Sequence, residues 1–323
     1  MRRVIALASV VLGLALAAAA PAAHAQSKVT LVFSSGPTGG SWIPMAGAVA
    51  EVVKKRFPEL DVQVEPGAAL VNMEKIRHDK ADLGWSMTNV LYDAREGRGQ
   101  WAGKKTDRAL YVATMYPNVW QLVVPADSDI RTVRDLKGKP VALPARGNTS
   151  LADGWENILK VNGLTLADLG PKSYGPVASN AEAMKNRQAL AVGWFTVVPG
   201  SFVLDLGSTM KLRMIPVSDE EFARLQQINP GFVRHVIKAG TYAEQGIADD
   251  VKTFQSPTIL IASAKTPAEV IYKVTRAIAE GREDLANVTT AMKGVTLADM
   301  GRDYGLPYHP GAARYWKEVG VLK

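Results

Sequence analysis

"SSGPTGGSW", Ser34 to Trp42, joins two different kinds of sequence. Before it, Val29-Thr30-Leu31-Val32-Phe33 is a run of apolar and β-branched residues, which predicts a strand. After it, Met45, Val49, Val52, Val53 and Phe57 recur at helical spacing, which predicts a helix over Ser41–Phe57 with Ser41 as N-cap and Pro44 in the first turn. A strand, a glycine loop and a helix start present free backbone N–H groups at the positive end of a helix, where a negative group is stabilised. A phosphate-binding P-loop is excluded, because Gly40 is followed by Ser41 and Trp42 and the next lysine is Lys54. The dinucleotide fingerprint is absent too. What remains are the N–H groups around Gly39 and Gly40 and the hydroxyls of Thr38 and Ser41, which suit a carboxylate or an amide oxygen. The alternative is a tight turn closed by a serine cap, with no ligand.

Outward from that junction, strands and helices alternate. "DVQVE" (Asp61 to Glu65) reads as a strand, Val71 to His78 as a helix and Asp82 to Met87 as a strand. The same order returns: "PVAL" (Pro140 to Leu143), the loop "PARGNTS" (Pro144 to Ser150), a helix over Leu151–Val161, a short strand at Lys172–Tyr174, a helix over Asn180–Arg187 and the strand "LAVGWF". Gly36 to Gly84 in the first half and Gly147 to Gly193 in the second span nearly equal distances. The pattern predicts an α/β fold of two similar lobes with parallel-rich sheets. In such sheets ligands sit beyond the carboxyl ends of the strands. Facing lobes would then bring Gly36–Ser41, Ser86–Asn89, Arg146–Ser150 and Trp194–Ser201 around one cleft. "YPNVWQLVV" (Tyr116 to Val124) and "KTFQSPTILIAS" (Lys252 to Ser263) are the expected crossings, with Tyr116 at the start of the first. Helices near Pro267–Ala286 and Ala312–Val319 would complete the first lobe. The expected division is 1–25 as a leader, 26–117 with 256–323 as one lobe and 118–255 as the other.

The leader follows from Arg2 and Arg3, the apolar run Val4 to Ala20 and the small-x-small site Ala23-His24-Ala25. A secretory signal peptide cut after Ala25 is expected, and with it a periplasmic location. The run is short for a membrane anchor. The 323 residues contain no cysteine, which excludes disulfides, thiolate metal sites and cysteine nucleophiles, while 47% hydrophobic residues can supply a core. The formal charge of +7 falls by two with the leader, leaving a mildly basic chain that favours anionic partners. Basic residues are interspersed with acids, which argues against nucleic acid. The longest basic run, Lys54-Lys55-Arg56, closes a helix, where cations offset the macrodipole, and is expected to be a solvated helix end.

Enzymatic motifs are absent. His78, His235 and His309 are far apart in sequence, no HExxH occurs, and "GWSMT" (Gly84 to Thr88) lacks the closing glycine of a nucleophile elbow. A binding protein without cofactor or metal is expected, with a sensor, or a hydrolase with dispersed residues, as the competing classes.

Four stretches carry a family likeness: "GPTGGSW", "GAALVNMEKIRHDKADLGWSMTNV", "MYPNVWQLVV" and "IRTVRDLKGKPVALPARGNTSLADGWENILKVNGL". From about Val29 to the C-terminus the chain resembles the TAXI family, the periplasmic solute receptors of tripartite ATP-independent periplasmic (TRAP) transporters. The resemblance implies the type II periplasmic-binding-protein fold, and capture of an organic acid or amino acid for an ion-driven permease. The chain departs from the family pattern at "GAALVN", where a Gly-Ser pair is common before the asparagine, and at "ARGNTS", where a Gly-Ser-Gly-Thr-like loop is frequent.

The candidate ligand-binding set is Thr38, Gly39, Gly40, Ser41, Trp42, Asn72, Thr88, Asn89, Tyr116, Arg146, Asn148, Thr149, Ser150 and Trp194. Arg146 is its one fixed charge, and a guanidinium grips a carboxylate through two parallel hydrogen bonds, though a surface arginine is the alternative. Asn148, Thr149 and Ser150 lie at a helix start, where they can cap. Asn72 can cap the helix after "PGAAL". Trp42, Trp85 and Trp194 can wall the cleft or fill the core, and Trp85 and Ser86 must face opposite ways along a strand. The expected partners are one small anionic or zwitterionic metabolite and a TRAP permease, with the receptor a monomer.

Overall fold

The computed structural model describes residues 28–36, 42–146 and 149–323. The leader, Thr38 to Ser41 and Asn148 lie outside the described residues. The chain runs through β1 (Val29–Ser34), α1 (Trp42–Arg56), β2 (Leu60–Glu65), α2 (Ala69–Arg77), β3 (Leu83–Met87), α3 (Thr88–Glu96) and β4 (Ala109–Tyr116). It then forms β5 (Val119–Pro125), β6 (Val141–Pro144), α4 (Thr149–Val161), β7 (Lys172–Gly175), α5 (Val177–Lys185), β8 (Ala191–Thr196), α6 (Ser201–Gly207), β9 (Leu212–Met214), α7 (Asp219–Ile228), β10 (Val233–Ile237) and β11 (Val251–Gln255). It ends with β12 (Thr258–Ser263), α8 (Ala268–Glu280), α9 (Arg282–Val288), α10 (Leu297–Met300) and α11 (Pro310–Glu318).

Two sheets result, in the orders β2-β1-β3-β12-β4 and β10-β11-β5-β8-β6-β7, with β9 added beside β5. The β1-β2, β1-β3, β6-β7 and β6-β8 pairs are parallel. The strands that carry the chain between the sheets pair antiparallel, β12 with β3 and β4, and β11 with β5. This is the expected two-lobed α/β architecture, with mixed sheets.

Two segments differ from expectation. Lys252–Ser263 is two strands, because Pro257 has no N–H to give a ladder and the halves belong to different sheets. Pro267–Ala286 is two helices, α8 and α9, that meet at Gly281, where an added Cβ would lie 2.4 Å from Val52 Cγ1. The basic end of α1 is also more than a solvated tip. Lys55 lies 3.7 Å from Asp284, and Arg56, its side chain only 23% exposed, lies 3.6 Å from Glu280.

In the first lobe Leu31, Phe33, Leu83 and Trp85 bury one sheet face beneath α1 and α8. The opposite face meets α2 and α3 in an apolar cluster that continues into the second lobe through Leu151, Trp155, Phe195 and Phe254. Trp120 fills the second lobe's core, in ring contact with Trp155, Phe195 and Phe254. Gly193 is needed there, since a Cβ would sit 2.7 Å from the Trp120 ring.

An asparagine holds the strand ends in each lobe. Asn72, fully buried on α2, accepts from Ser34 Oγ (2.7 Å) and the Ala68 N–H (3.1 Å) and donates to the carbonyls of Ser35 and Trp85 (2.7 Å each). Asn180 stands at the same turn of α5 and donates to the Leu143 carbonyl at 2.9 Å. A glycine precedes each by five positions, Gly67 and Gly175, and a Cβ on Gly67 would collide with the Asn72 oxygen at 2.0 Å. The repeat is legible as Gly-x-x-x-x-Asn.

Asn72→Ala would leave two buried carbonyls unpaired, and a loss of about 2–4 kcal/mol is expected, since each orphaned buried group costs about 1–3 kcal/mol. Asn180→Ala, with one such bond, is expected to lose about half as much. Urea unfolding followed by tryptophan fluorescence checks both, and equal losses would contradict the difference in bonding.

Candidate functional site

The carboxyl ends of β1 and β3 lie at one edge of the first sheet, and Thr88 opens α3 directly from β3. The second lobe comes against that helix start. Thr88 Oγ1 donates to the Gly231 carbonyl at 2.6 Å, and Gly231 packs so tightly that a Cβ would lie 2.6 Å from the Asn89 backbone. Asn229 donates to the Asn89 carbonyl (3.0 Å) and to Asp93 Oδ1 (2.9 Å), and Arg98 reaches the Ile228 carbonyl at 3.1 Å. At the return crossing, Ser256 Oγ donates to Asn89 Oδ1 at 2.5 Å. The lobes therefore meet through the first turns of α3 and the segment between α7 and β10.

Four buried polar atoms at the first sheet's edge have no partner among the described residues: Ser35 Oγ, Ser86 Oγ, Asn89 Nδ2 and Thr258 Oγ1. Register places Ile259 opposite Ser86 and Thr258 opposite Met87, so Ser86 and Thr258 occupy successive rungs at one end of the β3-β12 pair, with side chains on alternate faces. Leaving such groups unpaired is costly, so each calls for a partner beyond the described residues. Asn89 is divided between roles, its oxygen taken by Ser256 and its N–H2 group unpartnered.

The sequence-derived set scatters across this geometry. Asn72 is enclosed and all four of its hydrogen-bonding positions are filled within the protein, so it positions the edge without facing a ligand. Thr88 is buried and bonded across the lobes. Tyr116 ends β4 at the first crossing and is buried. Trp42 is half-buried, its carbonyl accepting from Trp85 Nε1 at 3.0 Å, and it packs on Gly36, where a Cβ would lie 2.5 Å from the Trp42 Cβ. Trp85 is core, in edge contact with Phe33, and Trp194 is half-buried over the second lobe's clusters. Arg146 is exposed after β6, its guanidinium 4.3 Å above the Tyr174 ring and in no ion pair with another described residue. Thr149 and Ser150 open α4, but their side chains, like Thr38, Gly39, Gly40, Ser41 and Asn148, lie outside the described residues.

Sequence reasoning missed Asn229, Gly231 and Ser256, which hold the lobes together, because their partners are more than a hundred residues away. "NPG" (Asn229 to Gly231) reads only as a turn. It also missed Tyr242. Its hydroxyl accepts from the Gly200 N–H and donates to Gln121, both at 2.5 Å, and Gln121 in turn donates to the Val197 carbonyl at 3.0 Å. These bonds set the loop after β8. Burial pushes the Tyr242 hydroxyl up to about 12, so it stays protonated.

Two carboxylates approach from opposite lobes. Burial pushes Asp153 on α4 up to about 7, and the charges of Asp93 and Glu156 push the same way. Asp93 on α3 is raised by burial to about 6, against the lowering influence of Arg98 and the Asn229 hydrogen bond. The remaining histidine of note, His309, is structural: Nδ1 accepts from the Gly311 N–H at the start of α11. Among the described residues no group of three His, Asp or Glu could hold a metal ion, and no helix is long and apolar enough to cross a membrane.

The architecture is that of the two-lobed solute-binding proteins. A TctC solute binding protein from Polaromonas superposes with a TM-score of 0.52 at 14% identity, covering 93% of this chain and 100% of that one. A Xanthomonas citri protein bound to a chloride ion gives 0.50 at 13% identity, covering 90% and 97%. A chain from a structural study of glutathione import in Streptococcus mutans gives 0.50 at 14%, covering 83% and 96%. At these identities the likeness is one of fold. The family model matched over residues 33–320 is that of the NMT1-like family, and the chain belongs to it.

The raised Asp153 makes a pH prediction. Its carboxyl titrates near 7 when folded and near 3.8 when not, so the folded protein holds the extra proton between those values. The stability linked to that proton is full below the lower value and lost as pH rises through the upper one. Asp153→Asn is therefore expected to match wild type near pH 4 and to exceed it by about 1–3 kcal/mol near pH 8. Thermal melts across that range check it, and a pH-independent difference would contradict it.

Proposed function

We propose that this protein is an extracytoplasmic solute-binding receptor. It captures a small carboxylate-bearing metabolite, an organic acid or amino acid, and delivers it to a TRAP permease. The observation that carries the binding reading is the set of buried polar atoms at the edge where two lobes meet that have no partner among the described residues, the Asn89 N–H2 group among them. The NMT1-like family and the solute-binding proteins of similar fold support capture of a small solute. The TAXI-like stretches support the choice of permease. The apolar leader supports export to the periplasm.

In this reading residues 118–255 move against 26–117 and 256–323 about the crossings at Tyr116–Val119 and Gln255–Thr258. The ligand carboxylate lies between the glycine loop Thr38–Ser41 and Arg146, with Asn148, Thr149 and Ser150 at the start of α4 beside it. Trp42, Tyr116 and Trp194 wall the site. Asn89 donates from the first lobe. Contacts to both lobes favour the closed state, and a ligand shifts such an equilibrium only by its differential affinity for the two states. The closed form is what the permease recognises. Native mass spectrometry of the gently purified protein tests the reading, with one bound small acid per chain expected and no turnover of it. Steady product formation would instead establish an enzyme, and uptake unaffected by deletion of the gene would favour a sensor.

Two substitutions probe the clamp. Arg146→Lys keeps the charge and loses the fork, and Arg146→Ala loses both. A drop of about ten- to a hundredfold in affinity is expected for Arg146→Ala, the equivalent of about 1.5–3 kcal/mol for a hydrogen bond to a charged group. Unchanged affinity in calorimetric titration would leave Arg146 as a surface residue stacked on Tyr174. Gly231→Val places a side chain against the α3 backbone, so the lobes should fold yet fail to close. Small-angle scattering should then show no compaction with the co-purified ligand, whereas wild type compacts.

A further inference from the structure

The outer face of the first lobe carries a hollow of about 340 Å3, between α2 and the chain from Gln100 to Lys104. All of its lining residues belong to the first lobe, and none is among those assigned to the cleft. Helical geometry explains the α2 wall. Ala69, Asn72, Met73 and Ile76 are buried against the lobe, which turns Leu70, Val71, Glu74, Lys75 and His78 toward the outer side. Leu70, Val71 and Trp101 make the apolar part of the hollow, and Val71 is 46% exposed. Trp101 is buried, and its indole N–H has no partner among the described residues.

The charge around that apolar part is one-sided. Lys75, Lys80 and Lys104 line the hollow against a single acid, Glu74. Glu74 already accepts from Arg77 at 2.8 Å and lies 3.9 Å from Lys104, while Lys75 is taken by Glu65 at 2.6 Å. Lys80 is exposed and forms no ion pair with a described residue. Past His78 the surface continues into a polar hollow with Lys105, Asp107 and Arg108. There Asp79 holds both Arg108 (2.9 Å) and Lys265 (2.6 Å).

Apolar surface ringed by lysines complements an apolar side chain flanked by carboxylates. Burial of the apolar part supplies attraction, and the lysines select the sign of the partner. A small inorganic anion would leave Leu70 and Val71 wet. A bilayer is a poorer match, because a flat layer of headgroups does not fill a hollow. We propose that this hollow docks a second protein, through an acidic segment that sets one apolar side chain against Leu70, Val71 and Trp101 and its carboxylates at Lys80 and Lys104. Since the hollow belongs to one lobe, docking does not depend on whether the lobes are open or closed. It also stands apart from the reading of the cleft given above.

The test is fluorescence anisotropy of a labelled peptide, Asp-Glu-Leu-Phe-Glu-Asp, titrated with the full mature protein. Two comparison peptides replace Leu-Phe by Gly-Ser, or the acids by their amides. The first peptide is expected to bind at millimolar concentration or below, to be weakened by salt, and to outbind both others. Lys80→Glu and Lys104→Glu, at exposed positions compatible with folding, should each weaken it about two- to tenfold. Val71→Ser should narrow the preference over the Gly-Ser peptide. Lys317→Glu, exposed on α11 and equal in its change of net charge, should leave binding intact. An equal loss in Lys317→Glu would reveal general attraction to a basic chain and overturn the assignment. So would the absence of binding at millimolar concentration. Co-sedimentation with phosphatidylglycerol vesicles that Lys80→Glu abolishes, without peptide binding, would overturn it too and give this face to a membrane.

Discussion

The amide of Asn72 is the contact on which the rest of the first lobe's edge depends. Its four hydrogen bonds tie the ends of β1 and β3, past the last rungs of their shared ladder, to the first turn of α2. Strand ends at a ligand edge cannot be held by further ladder bonds, because the ladder has stopped, so a side chain must satisfy the last carbonyls. Gly67 and Gly84 are the conditions for this. A Cβ at either would come within 3.0 Å of the Asn72 side chain. Asn180 repeats the device in the second lobe with one carbonyl in place of two, which is how a shared local rule yields similar but unequal lobes.

Between the lobes two tendencies oppose each other. The Thr88–Gly231 and Asn229–Asp93 bonds, together with the apolar cluster shared by α2, α3 and α4, draw the halves together. The half-buried carboxylates of Asp93 and Asp153, one from each lobe, resist that approach when ionised. A neutral hydrogen bond contributes about 0.5–1.5 kcal/mol, so more than one is set against the charging of these acids.

Gly84 and Gly193 show what repetition does and does not mean. They occupy matching strands and look alike in "LGWS" and "VGWF", yet Gly84 admits an asparagine and Gly193 admits Trp120. The local backbone requirement is shared, and the packing that imposes it is not. The same holds for the tryptophans, of which Trp85 is wholly core while Trp42 and Trp194 keep part of their surface exposed.

The alternation of strand and helix, the doubled order of elements and the two crossings were legible in the sequence, because each rests on short-range periodicity and on glycine or proline punctuation. The break of Lys252–Ser263 into β11 and β12 was signalled by Pro257, and the Gly-x-x-x-x-Asn pair was present to be read. Periodicity could not say that Asn72 spends its whole amide inside the protein. Nor could it say that Asn229 meets Asn89 from the far lobe and Ser256 meets it from the crossing, or that the Gln255 side-chain oxygen is buried with no partner among the described residues. Those outcomes depend on which groups are brought within 3 Å of one another across more than a hundred residues of chain. Hydrogen-bond satisfaction is a property of that arrangement alone, so only the tertiary structure decided them.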